Sequence, residues 1–434
     1  MRRLLAIGFI WFCCAVAWTV LGSTLLVRSS KSIGGLDGRV QGLWGPRQGQ
    51  EPPRAEWTST EARTFQEERW DESRKQSMQV NVVRDVAVPH PLPLDGSEVQ
   101  VELALQHRQK GLLWFPTYVV QFQGRYTFRN PEASPREVTF HFPLGGTEQG
   151  VEFDDFRVAD GAGKPVEVSF ANKEASFTRT LSPGQAFAYQ TSYRTRGTYA
   201  WTYGAPGRGL GPEDGRTRAF RLVARTDFEA VDFADGALSP SSQGRSGGGW
   251  QGEWRFEQLV GTKAISIAMP ERLNPGPLAA SITLFAPVSL LFFFFVVGMV
   301  LAARRASMHP MNYFLLGCAF FAFHLLFAYL IDHTSIAVAF IAASAVSLAL
   351  VVSYARLFVG WRTAVSVLGV SQVIYLVLFS FSFFWEGFTG LAITVGAILT
   401  LFMMMQLTGR LDWAEVLGKG GRSAPPAATP SSPA

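Results

Sequence analysis

The residues able to do chemistry are few and scattered. His90, His107 and His141 lie in a long polar stretch, at spacings that match no common zinc site. They read as ordinary strand or loop histidines. Asp154 and Asp155 are adjacent carboxylates, but neighbours on a strand point to opposite faces. A general acid–base pair would therefore need carboxylates from separate strands, which is the only route to an envelope hydrolase here. No HExxH, CxxC or Walker pattern is present, so no catalytic, metal or cofactor residue is assigned. His324 differs in kind: it stands in the middle of an apolar run, where an ionisable group is costly and often functional. Gln372 and Gln406 occupy later runs, nearer their ends. These polar groups read either as a proton or substrate path, or as neutral side chains hydrogen-bonded between helices. Leu112–Phe115 (LLWF) breaks strict alternation, and reads as a doubly buried strand start or as an apolar loop touching a membrane or a partner.

The elements that position these groups follow from charge. Only 17% of the 434 residues are charged, and the depletion is uneven. Residues 279–434 hold seven Lys/Arg and four Asp/Glu, whereas residues 28–278 hold thirty of each. A soluble cytosolic enzyme is excluded. Nucleic-acid binding is excluded too, because the large polar part is neutral and the net +5 comes from short flanks. All three cysteines, Cys13, Cys14 and Cys318, lie in apolar runs, so no disulfide holds the polar part together.

Six runs are long enough for a bilayer core of roughly 30 Å. They are residues 4–27, 279–303, 311–331, 335–355, 363–385 and 387–408. Arg2, Arg3, Arg304, Arg305, Arg356, Arg362, Arg410, Lys419 and Arg422 flank alternate ends, while the opposite short turns carry Asp332, His333 and Glu386. The positive-inside rule then puts both termini in the cytoplasm and residues 28–278 outside. Trp361, Trp385 and Trp413 fall at expected interfaces. Ala15-Val16-Ala17 imitates a signal cleavage site, but the apolar run continues to Val27, so residues 1–27 read as an uncleaved anchor. Pro287 is expected to kink the second span. Ala342, Ser344, Ala345, Ser347 and Ala349 suggest a small-faced fourth span.

Residues 28–79 are weakly patterned and read as a connector with local structure, with charged Glu61–Met78 as a solvated helix or a mobile stretch. From residue 80 the period becomes two, as in Val99, Val101, Leu103 and Leu105. Further runs follow at 118–128, 138–142, 166–170, 185–203, 216–233, 249–260 and 262–269, separated by polar turns. Residues 80–278 are thus expected to form one or two antiparallel β-sandwiches, with mobile loops at 204–215 and 239–249. Residues 279–409 are the five-helix region, and 410–434 a disordered cytoplasmic tail. The fold class is a membrane protein of α+β type.

Several stretches resemble one family together. Val40–Gln50 (VQGLWGPRQGQ), Gln106–Tyr118 (QHRQKGLLWFPTY), His309–Tyr313 (HPMNY) and Thr408–Trp413 (TGRLDW) are similar to the CreD family of inner-membrane proteins. The resemblance implies a single anchor, a large periplasmic domain and a bundle of spans. It also implies a role in cell-envelope integrity and in envelope-stress or β-lactam responses, and supplies no catalytic residues. The expectation is a non-enzymatic envelope protein in the bacterial inner membrane. Its partners are the lipid bilayer and an envelope protein or glycan, bound through the β domain. The alternative is a transport or flippase-like protein that uses His324 and the bundle.

Overall fold

The computed structural model describes residues 2–71, 76–145, 151–204, 209–211, 216–304, 308–385 and 387–409. Arg305, Glu386, Trp413, the basic flank from Arg410, the tail and most of the 204–215 loop lie outside the described residues. The fold is mixed α+β, with an N-terminal apolar helix, a central β domain and further apolar helices. Two compact units result: residues 1–34 with 273–434, and residues 35–272.

Among the described residues the β unit holds sixteen strands. The first six are β1 (Gln48–Gln50), β2 (Arg54–Asp71), β3 (Gln76–Pro91), β4 (Leu94–Lys110), β5 (Leu113–Arg129) and β6 (Arg136–Pro143). There follow β7 (Phe153–Asp160), β8 (Ser169–Ala171), β9 (Glu174–Leu181), β10 (Ala186–Thr198) and β11 (Ala200–Tyr203). The last five are β12 (Arg216–Thr226), β13 (Asp232–Phe233), β14 (Ser242–Ser246), β15 (Gly249–Val260) and β16 (Ile265–Ala268). They form a seven-stranded sheet, β14-β15-β12-β4-β5-β10-β7, a five-stranded sheet, β3-β2-β6-β9-β8, and a four-stranded sheet, β1-β11-β16-β13. One apolar core joins all three, with Phe122, Phe140, Tyr189, Trp201, Trp254 and Ile267 among its buried residues. Alternation along β4 and β5 delivers one face of each strand to it, as in Val99, Val101, Leu103 and Tyr118, Val120, Phe122.

Four expectations are corrected. The segment read as a connector with local structure is regular helix and strand over its described residues: helix α1 runs from Arg2 to Trp44, and β1, β2 and the start of β3 follow. Gly34, Gly35, Gly38 and Gly42 lower intrinsic helix propensity over its last turns. Tertiary contacts outweigh that. Val40 is buried, and Asp37 accepts from the Gln41 amide (2.8 Å) and the Tyr199 hydroxyl (2.5 Å). The described parts of Glu61–Met78 are strand: Glu61–Asp71 belongs to β2 and Gln76–Met78 to β3, and charges spread along β2 erase the period-two signal. The sheets are not wholly antiparallel, because β4 pairs β12 and β1 pairs β11 in parallel. Side-chain alternation is the same in both geometries, so sequence could not separate them. Finally, residues 239–249 hold β14 and a two-glycine turn into β15 rather than a mobile loop.

The membrane unit contains the apolar part of α1 with α2 (Pro275–Ala303), α3 (Pro310–Leu330), α4 (Ile336–Val359), α5 (Trp361–Phe384) and α6 (Thr389–Thr408). All six helices are long and apolar enough to cross a membrane. His309 and Ser335 cap α3 and α4 by accepting from the backbone of Met311 and Val338. α2 continues through Pro287, whose carbonyl accepts from Trp11 Nε1 at 2.8 Å. The buried face of α4 is Ala339, Ala343, Ser347, Val351 and Ala355, at four-residue spacing. Of the small residues expected on that face, only Ser347 is fully buried.

Candidate functional site

The outer histidines do separate jobs. His90 stacks on Trp57 at 4.2 Å and meets the Ser59 hydroxyl at 2.8 Å. His107 reaches the Pro270 carbonyl at 2.9 Å. His141 lies 3.2 Å from Glu174, which Arg54 grips with both guanidinium nitrogens at 2.7 and 2.9 Å. Among the described residues, no group of His, Cys, Asp and Glu is placed to hold a metal. Asp154 pairs with Arg196 (3.3 Å) and Arg194 (3.6 Å), and Asp155 sits at φ 55° where β7 slips its register.

The LLWF stretch resolves as a hairpin tip. Gly111, at φ 61°, and Leu112 form the turn; Leu113 and Phe115 are buried, and Trp114 is half-buried beneath the Arg272 guanidinium, 4.7 Å away. The VQGLWGPRQGQ stretch acquires a structural meaning. Trp44 ends α1 with the Arg108 guanidinium stacked 3.6 Å above its ring. Gly45, at φ 112°, turns the chain into β1, where Gln48 and Gln50 are buried. Gln50 accepts from the Tyr193 hydroxyl at 2.6 Å and donates to the Pro143 and Glu51 carbonyls. Tyr118 donates to the Ala200 carbonyl at 2.5 Å. The Gln50 amide therefore ties β1 to Tyr193 and Pro143, while the Gln48 amide reaches back only to the Pro46 carbonyl.

In the membrane unit His324 is fully buried. Its Nδ1 lies 3.1 Å from the Phe320 carbonyl, and its ring meets Trp18 and Phe323 edge-on. Gln372 is also fully buried and lies at the middle of α5, not near its end, between π-helical turns at Ala364–Gly369 and Val373–Leu378. It donates to Ser347 (2.7 Å), which donates to the Ala319 carbonyl (2.7 Å), while Gln372 Oε1 has no partner among the described residues. Gln406 is exposed.

A groove that sequence reading missed lies at the far edge of the seven-stranded sheet. Its cavity, about 360 Å³, is lined by Glu229, Val231, Gln243, Gly244, Arg245 and Trp250. Arg245 pairs with Glu229 at 3.1 Å, and Trp250 Nε1 donates to Gln243 at 3.2 Å. The groove is invisible in sequence because the Gly- and Ser-rich stretch 239–249 that forms β14 carries the composition of a loop. Gly244–Gly248 (GRSGG) also spells the letters of a serine-hydrolase elbow. Ser246 pairs with Gly249 across a Gly247-Gly248 hairpin turn, and no helix follows. That is not the strand-to-helix turn the elbow requires.

Residues 280–414 match the family model described as Inner membrane protein CreD. Over these residues the chain is similar to the CreD family. The match takes in His324, Gln372 and the buried α4 face, and leaves the β domain unmatched. No curated protein matches the chain. Among solved structures, a Legionella pneumophila protein described as nutrient binding is 11% identical, covering 52% of this chain and 80% of its own at a TM-score of 0.29. An M1 zinc metallopeptidase from Deinococcus radiodurans is 13% identical, covering 41% and 42% at 0.25. At such scores neither likeness carries an argument. The CreD match and six apolar helices make this a multi-pass inner-membrane protein.

Proposed function

We propose that this chain is an envelope protein without catalytic activity, whose β domain faces the periplasm and binds an envelope component. The orientation rests on the basic residues at alternate span ends. Two contacts within the membrane unit support that alternation: Arg28, after the first span, pairs with Asp332 in the α3–α4 turn, and Arg304 reaches Thr363 at the start of α5. Residues 28–278 are then periplasmic and both termini cytoplasmic. The family resemblance supplies the context of envelope integrity and the response to envelope stress or β-lactams.

The groove of Glu229, Gln243, Arg245 and Trp250 carries the binding reading. Carboxylate, amide and guanidinium groups lining one groove suit the paired hydroxyls of a sugar, so the component is a glycan. Photo-crosslinking in cells tests this, with probes at Gln243 and Arg245 and a reference probe at Trp114. A glycan adduct confined to the groove probes is the expected result. Only lipid adducts, or none, would move the weight to the membrane bundle.

A second reading, transport through the bundle, is favoured by one observation. Gln372 is buried with a free amide oxygen between two π-helical turns, a feature common at functional sites. His324→Leu and Gln372→Leu variants of normal abundance should then lose the envelope phenotype. An unchanged phenotype in both ends this reading.

A further inference from the structure

The tip of the β4–β5 hairpin, which the proposed function leaves unused, lies where the chain of the β domain joins the membrane spans. The hairpin runs along the end of α1. Arg108 stacks on Trp44 at 3.6 Å, and a Cβ added to Gly111 would stand 3.7 Å from Leu36 Cδ1. Leu36 precedes Trp44 by eight residues, about 12 Å of helix. From Arg108 to Gly111 the hairpin therefore advances along α1 in the direction of its apolar run, which ends at Val27.

The second chain crossing arrives at the same tip. His107 reaches the Pro270 carbonyl at 2.9 Å, and Arg272 lies over the Trp114 ring at 4.7 Å. Three residues further on, Pro275 opens α2. Within the membrane unit Gly276 packs against Ser29, which stands two residues past Val27. Three residues of chain span at most about 11 Å, and the headgroup layer is about 5–8 Å deep on each side of the apolar core. The tether thus leaves Arg272 within reach of the headgroups. The side chains suit that place. Lys110, Leu112 and Arg272 are exposed, Leu112 by 40%, and Trp114 is half-buried. Indoles prefer the membrane–water interface, and basic side chains beside a membrane are drawn to anionic headgroups.

We infer that the β4–β5 hairpin tip docks on the lipid surface of the leaflet facing the β domain, with Lys110 and Arg272 against lipid phosphates and Leu112 and Trp114 among the headgroups. Two arguments name lipid as the occupant: both chain crossings meet at this tip, and its exposed charges are basic. Docking gives the β domain a hold on the bilayer besides its two covalent crossings. The inference depends neither on the glycan reading nor on which leaflet this is.

The test uses the full-length protein with its only cysteines, Cys13, Cys14 and Cys318, replaced by serine. It is reconstituted into vesicles of phosphatidylglycerol and phosphatidylcholine that carry a headgroup nitroxide. A fluorescent label is placed on Leu112→Cys or, as a control, on Val260→Cys. Val260 is 79% exposed and pairs with Arg216, beyond the Phe220↔Ser97 pair, so it stands at the end of the seven-stranded sheet away from the tip. The nitroxide should quench the label at 112 strongly and the label at 260 weakly. Each basic side chain beside an anionic surface shifts the docked-to-free ratio about fivefold. Quenching at 112 should therefore fall in pure phosphatidylcholine, and fall in the double variant Lys110→Glu, Arg272→Glu with its circular dichroism unchanged. Raising salt from 0.1 to 1 M, which shortens the screening length from about 10 to 3 Å, should lower it without any change at Lys110 or Arg272. The inference fails if the label at 112 is quenched no more than the label at 260, or if its quenching ignores lipid charge and salt. It also fails if the label is shielded from the nitroxide and from a water-soluble quencher alike, since protein would then cover the tip.

Discussion

Gln50 offers a quantitative test of how β1 is held. Its side chain is fully buried and makes three hydrogen bonds: from Tyr193 at 2.6 Å, to Pro143 at 2.9 Å and to Glu51 at 2.8 Å. Gln50→Ala leaves the Tyr193 hydroxyl and the Pro143 carbonyl without their partner in the core. Each buried orphan costs about 1–3 kcal/mol, so the expected loss is about 2–5 kcal/mol once the small cavity is included. Tyr193→Phe removes one donor and leaves Gln50 Oε1 unpaired, at about 1–2 kcal/mol. The double variant should lose less than the sum, with a coupling of about 1 kcal/mol, because the two residues share one bond. The assay is urea unfolding of the full-length protein in detergent, followed by β-strand circular dichroism. Additive losses would refute a direct Gln50–Tyr193 bond. A Gln50→Ala loss below about 0.5 kcal/mol would refute the whole account of β1, since that is the range of ordinary surface changes.

Other perturbations probe different parts of the fold. Gly45→Ala should destabilise by at least about 1–3 kcal/mol in the same assay, because Gly45 has φ 112° and a Cβ there would meet the Arg196 carbonyl at 2.5 Å. Arg108→Gln should cost about 0.5–1 kcal/mol by removing the cation stacked on Trp44, and Trp44→Ala should cost more, since packing is lost as well. Burial raises the ionisation of Tyr126, Tyr189 and Tyr193 well above the ordinary tyrosine range. Above the ordinary tyrosine range the unfolded chain ionises while the buried phenols stay neutral, and that difference favours the unfolded state. Stability from these groups is therefore intact below about pH 10 and falls as pH rises toward their folded values, by up to about 1.4 kcal/mol per pH unit for each tyrosine. Stability measured as a function of pH that stays flat from 9 to 12 would contradict that sign.

Legibility in the sequence followed the strength of the periodic signal. The apolar runs marked all six helices, because twenty apolar residues have few other uses. β4, β5 and β15 were legible because each presents one face to the core. β2 was not, since a ribbon exposed on both faces has no buried face to create alternation. The last turns of α1 were hidden by glycines that Tyr199 and Arg108 compensate from 60 or more residues away in sequence. The same limit applies to the candidate site. Glu229 and Gln243 are brought together only by the β14–β15 pairing, and nothing local to either residue announces it.

The polar residues of the membrane unit separate structural from functional readings of His324. Its neighbours are aromatic edges and its own helix's Phe320 carbonyl, so it resembles a locally satisfied group. Gln372 is different. Its amide joins α5 to α4 through Ser347, which in turn joins α3, and the chain of bonds then stops at an unpaired oxygen. A residue kept only for packing would be replaceable by an apolar one of similar volume. Gln372→Leu removes the orphan oxygen and leaves the Ser347–Ala319 bond in place, so stability should change by less than about 1.5 kcal/mol. A larger loss would mean that Oε1 already has a structural partner. If stability is kept and the envelope phenotype is lost, Gln372 rather than His324 becomes the first candidate for activity in the bundle.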